Sequence, residues 1–112
     1  QVLYTESNAM ATIGYVLFMG IFGPWFEELL FRGFVYPAFK NRLGVARGIL
    51  ASSVLFAALH GHGIAFMPIL ILGVTLHLLY ERSGSIIPGA VLHMTHNSLM
   101  LGLTLAVRQL TS

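Results

Sequence analysis

The stretch IFGPWFEELLFRGFVYPAF, residues 21–39, sets two adjacent glutamates and an arginine inside an apolar run. Glu27, Glu28 and Arg32 fall within six positions, in a chain of 112 residues with only six Lys or Arg and four Asp or Glu. Scarce charges are thus concentrated where the surroundings solvate them least. Glu28 and Arg32 stand at i and i+4 with the acid on the N-terminal side, the better order for pairing on one helix face. Glu27 is turned about 100° from Glu28 on a helix of 3.6 residues per turn, so Arg32 does not easily neutralise both carboxylates. One glutamate is then a paired anchor and the other is free to act. Pro24, directly after Gly23, cannot donate to the preceding turn, so this helix is expected to kink or break there.

The rest of the chain sets the class. Hydrophobic residues make up 56% of it, charged residues 9%, and the mean hydropathy is +0.81. Soluble domains average about 25% charged residues, so the expectation is an all-α polytopic membrane bundle. The net charge of +2 forms no basic patch, which argues against nucleic acid as a partner and leaves membrane lipid and a membrane-associated peptide or protein. There is no cysteine, hence no disulfide and no thiolate metal site. Residues 1–9 are the most polar segment and have no signal-peptide pattern. Ser-Asn-Ala before Met10 reads as a tag remnant, with residues 10–112 as the membrane-embedded core.

Polar punctuation divides the core into about four apolar segments, from Met10 to Leu43, Val45 to Leu59, Ile64 to Tyr80 and Ile86 to Val107. None alternates strictly, and all are apolar on every face, so membrane helices fit better than strands. Short loops make consecutive helices antiparallel and put loops 40–47 and 81–85 on one side. Lys40, Arg42, Arg47 and Arg82 lie there, so the positive-inside bias marks it as cytoplasmic, in what is expected to be a prokaryotic plasma membrane. Counting from those loops, Glu27 lies 13 residues before Lys40 and His60 lies 13 after Arg47, each roughly 20 Å of helix. His93 and Asn97 follow Arg82 by 11 and 15 residues, roughly 16 to 22 Å. Three helices thus bring their least lipid-compatible side chains to one depth, which points to a single intramembrane polar site.

Three motifs occur in order: Glu-Glu-x-x-x-Arg (residues 27–32), Phe-x-x-x-His (56–60) and His-x-x-x-Asn (93–97). On successive membrane helices they resemble the CPBP family, which holds CAAX prenyl proteases of the Rce1 type, bacteriocin-processing enzymes and Abi proteins. The resemblance covers roughly residues 20–105. It implies an intramembrane endopeptidase of glutamate type, requiring no cofactor, that forms no acyl-enzyme and hydrolyses a prenylated CAAX or leader peptide. Carried over by position, Glu27 activates water, His60 contacts that water, and His93 with Asn97 forms the oxyanion site. Glu28 joins this catalytic set while Arg32, and Phe56 beside His60, support it. Members of the family usually carry further helices around such a core.

Other residues draw blander readings. His77 is taken as a packing residue, His62 as a loop residue at the membrane edge and Trp25 as an interfacial or packing residue; His96 lies one turn from His93, near enough to reach the site. Three alternatives compete with the metal-free protease. Glu27, His60 and His93 form a donor set that zinc accepts, although no HExxH is present. A non-enzymatic membrane adaptor or bacteriocin-immunity protein would use the same scaffold. A bis-histidine haem protein would leave the glutamates unexplained.

Overall fold

Two prolines shape the long first helix. The computed structural model describes the backbone of residues 6–112 and the side chains from residue 9 onward; residues 1–5 of the polar N-terminal segment lie outside it. Helices α1 (Glu6–Leu17), α2 (Gly23–Leu30) and α3 (Tyr36–Leu43) run on as one rod, joined by π-helical turns at Phe18–Phe22 and Phe31–Val35. Pro24 has no N–H to give the Gly20 carbonyl, and the Gly23 N–H reaches back to Phe18 O instead of Met19 O. The same happens before Pro37, where the Tyr36 N–H bonds Phe31 O. The kink expected at Gly23–Pro24 is therefore a widened turn in a continuous helix, a usual outcome where the i→i−4 ladder is interrupted. Proline at 37 repeats it, a consequence the sequence reading did not draw.

The apolar part of this rod, Ala9–Leu43, has 35 residues, roughly 50 Å of helix against a hydrocarbon core of about 30 Å. Gly44, at φ +83°, ends it in a conformation open to glycine, and α4 (Val45–His60) folds back along α3. Their backbones come close at Gly48, where a Cβ would lie 2.9 Å from Lys40 Cα. After a 3₁₀ turn at Gly63–Ala65, α5 (Phe66–Ser83) returns across the bundle, and α6 (Ile87–Thr111) follows with Pro88 in its first turn, where proline is tolerated. Every described element is helical. Ala9–Leu43, Gly63–Ser83 and Ile87–Thr111 are long and apolar enough to cross a membrane, whereas α4, with 16 residues, is a shorter apolar helix.

The packing forms a closed ring. α3 lies on α4, α4 on α5, α5 on α6, and α6 returns to the first π turn and α2. Phe31, Phe56 and Leu76 form the apolar centre, with Val35, Ile69, Leu72 and Leu92 around it. Glu28, Arg32, Ser52, Ser53, His77 and His93 are buried among them, while Phe26, Phe34, Ile71 and Leu99 face outward. Polar groups inside and apolar groups outside suit a chain solvated by lipid.

Candidate active site

Adjacent on α2, Glu27 and Glu28 point to different neighbours, and His93 of α6 joins them. Its Nδ1 lies 2.9 Å from Glu28 Oε1 and its Nε2 3.2 Å from Glu27 Oε2. Glu27 Oε1 in turn lies 3.0 Å from His60 Nε2, at the C-terminal end of α4. His60 Nδ1 is 2.6 Å from the Phe56 carbonyl, an acceptor only, so this nitrogen carries a proton. The contact between His60 Nε2 and Glu27 then requires a further proton shared by imidazole and carboxyl. The sequence left Glu27 free to act; in the structure an imidazole flanks each of its oxygens, His60 at hydrogen-bond distance and His93 in a looser contact that leaves Oε2 without a hydrogen bond.

Behind it, Arg32 Nε lies 3.2 Å from Glu28 Oε2, the i, i+4 pair anticipated on α2. The second π turn carries Arg32 into the core, where its Nη2 donates to the Gly73 carbonyl of α5 at 3.4 Å and its guanidinium carbon sits 5.5 Å from the centre of the Phe56 ring. Phe56 also stacks on His60 at 4.3 Å and meets His93 edge-on at 5.6 Å. One ring thus packs against three of the polar side chains. Glycine at 89 on α6 gives the buried carboxylate its room, since a Cβ there would stand 3.3 Å from Glu28 Oε2. Leaving either member of a buried pair alone costs several kcal/mol, which explains why both are fully enclosed.

Asn97 is held by the first π turn. That turn frees the Met19 and Gly20 carbonyls, and α6 supplies donors to both: Asn97 Nδ2 reaches Met19 O at 3.2 Å and Ser98 Oγ reaches Gly20 O at 3.5 Å. An amide nitrogen has two hydrogens, so one remains for another acceptor. Side-chain capping of carbonyls freed by proline is the usual remedy in lipid.

Two cavities meet here. One of about 440 Å³ runs along Phe18, Met19, Pro24 and Phe26 and ends on Glu27 and Asn97. A smaller one of about 190 Å³ is bounded by Phe56, His60, His93, His96 and Asn97. Asn97 lines both, and Glu27 contacts His60 and His93 of the second. All the residues singled out by the three motifs therefore meet around this centre. His96 lies at its edge, while His62 lies in the loop after α4, exposed. Sequence reasoning passed over the contribution of α5, where Gly73 and His77 close the back of the site. It also passed over the tie between Tyr36, Lys40 and Glu81 at the basic-loop end, where Glu81 accepts from the tyrosine at 2.6 Å and from the lysine at 2.8 Å. The signal available was that Glu81 is the one acid near those loops. Among the described residues no group of three His, Asp or Glu side chains is disposed to hold a metal ion; Glu27 touches His60 and His93 directly.

A ring of membrane helices enclosing a carboxylate–imidazole centre beside an apolar cavity defines an integral membrane protein with an intramembrane polar site. A family model described as Type II CAAX prenyl endopeptidase Rce1-like matches residues 9–99, and the chain belongs to that family. It is also similar to the UPF0177 protein YxdF of Lactococcus lactis subsp. lactis (strain IL1403), 35% identical over 80 residues. That match covers 70% of this chain and 44% of the relative, so the chain spans less than half the length of the curated protein it matches. No solved structure matches it.

Proposed function

We propose that this site hydrolyses a peptide bond in a membrane-associated substrate by glutamate-activated water. The supporting observation is Glu27, half-buried at the end of the larger cavity and held by His60 and His93. Water taken up between Glu27 and His60 gives a proton to this pair and its oxygen attacks the carbonyl carbon. Negative charge develops on the carbonyl oxygen, where the free Asn97 N–H donates. His93 Nε2 joins it by exchanging its Glu27 contact, which weakens as Glu27 takes up the proton. The carbon–nitrogen bond then breaks and the same proton passes to the departing amine. Glu28 and Arg32 take no part in bond changes; they hold Nδ1 of His93.

The apolar lining of the cavity suits a hydrophobic segment beside the scissile bond, as in a prenylated CAAX-type or leader peptide. Loops 40–47 and 81–85 are assigned to the cytoplasmic side of a prokaryotic plasma membrane on their Lys40, Arg42, Arg47 and Arg82. The test is cleavage of prenylated and leader peptides in detergent by wild type and Glu27→Gln, with and without chelator. Loss in the variant alone supports the reading, and loss on chelation moves it to a metal-assisted one with Glu27, His60 and His93 as ligands. A folded Glu27→Gln protein that cleaves as wild type does overturns Glu27 as the base, and a folded wild type that cleaves none of the peptides favours an adaptor or immunity protein on the same scaffold.

A further inference from the structure

The mechanism leaves a fully buried histidine unused. His77 of α5 has an exposure of 0%, as do Arg32, Ser52, Ser53 and Tyr36. Its Nδ1 lies 2.6 Å from the Gly73 carbonyl and 3.1 Å from Ser53 Oγ of α4, and its ring meets Tyr36 edge-on at 5.1 Å. The carbonyl accepts only, so Nδ1 carries a proton directed between two oxygens. The same Gly73 carbonyl receives Arg32 Nη2. A methyl group on Gly73 would stand 3.2 Å from Phe56 Cδ1 and 3.5 Å from Ser53 Cα, so the bare backbone lets this carbonyl approach.

Arg32 is loosely supplied for a buried guanidinium. Its contacts with Glu28 and Gly73 are 3.2 and 3.4 Å, and neither its Nε nor its Nη1 has a hydrogen-bond partner. His77 Nε2 has none either. The Gly73 carbonyl is thus the hydrogen-bond acceptor that the guanidinium finds among the described residues. From Arg32 the contacts continue through Glu28 to His93 and on to Glu27, all but the last between buried side chains.

We propose that His77 is a positioning residue of the site: clamped between Ser53 and the Gly73 carbonyl, it fixes the carbonyl on which Arg32 rests and, through Arg32 and Glu28, sets the orientation of His93. The effect on catalysis rests on the protease reading above; the effect on His93 does not. The experiment records ¹⁵N spectra of the ring-labelled histidines in detergent-solubilised protein, alongside kcat and KM, for wild type, His77→Leu, His77→Asn and Ser53→Ala. Expected for a folded His77→Leu are shifted His93 ring signals and a kcat lowered about tenfold or more with KM unchanged. His77→Asn, whose amide can still donate to the Gly73 carbonyl, restores both. Unmoved His93 signals in folded His77→Leu overturn the proposal. Should that variant fail to fold, Ser53→Ala removes one oxygen from Nδ1 and leaves the ring; a smaller shift of the His93 signals supports the proposal, and none overturns it. If wild type cleaves nothing, the protease reading falls while the His93 signals still decide this one.

Discussion

The cavity side of the site and its back side are built to opposite rules. Towards the cavity, the Glu27 and His60 side chains keep 29% and 28% of their surface exposed, and Asn97 is tied to a carbonyl that a proline set free. Behind them Glu28, Arg32 and His77 have an exposure of 0%, and Arg32 and His77 share the Gly73 carbonyl of α5. His93 belongs to both, with one nitrogen facing each glutamate. On the proposed reaction, the contrast separates groups that would change partners from groups that would not. Exposure to the cavity lets the first set exchange contacts, whereas close packing denies that freedom to the second.

Substitutions on the two sides should therefore fail differently. The largest effect is expected for Glu27→Gln, which keeps the shape and removes the base: cleavage should fall by roughly 10² to 10⁴, the usual span for a general base, with unchanged thermal unfolding in detergent. Next, Arg32→Met strands the Glu28 carboxylate in the core. It should cost about 3–5 kcal/mol of stability, the usual penalty for breaking a buried pair, seen as an unfolding midpoint at much lower denaturant. If Arg32→Met proves as stable as wild type yet inactive, the division between the two sides is broken.

Pro24→Ala sharpens the comparison from the cavity side. It returns an N–H to the Gly20 carbonyl, lets the π turn relax towards α-helix and removes the acceptor that Asn97 uses. Activity should drop about tenfold, less than the roughly 10²- to 10³-fold loss when an oxyanion donor is removed outright, because Asn97 itself remains, while stability holds or rises. The smallest effect is expected for Lys40→Met, far from both sides. Its pair with Glu81 is 41% and 25% exposed, and such pairs contribute about 0–1 kcal/mol. Activity measured beside wild type should be unchanged.

Much of this was legible in the residues themselves. Composition excludes a soluble domain, and the polar boundaries locate the helices. The similar distances of Glu27, His60 and His93 from the basic loops, 13, 13 and 11 residues, point to a common level before any contact is known. The pairing of Glu28 with Arg32 follows from a spacing of four. These are local properties, set by the pitch of a helix and its length in lipid, and they survive any rearrangement of neighbours.

Other features arise only where helices meet. That His93 bridges both glutamates depends on how far α6 is rotated about its axis and how closely Gly89 lets it approach. The bond from Asn97 to Met19 joins positions 78 residues apart and exists because a proline widened one turn beside α6. The role of α5 was hidden for the same reason. A lone histidine in an apolar segment reads as packing, and nothing near it in the chain shows that the Gly73 carbonyl also receives Arg32, 41 residues earlier. The sequence by itself determined the membrane class and the helices, because those follow from pattern along one chain. Only the tertiary structure decided which polar atoms face one another, because a rotation of a few tens of degrees about any helix axis would exchange every partner.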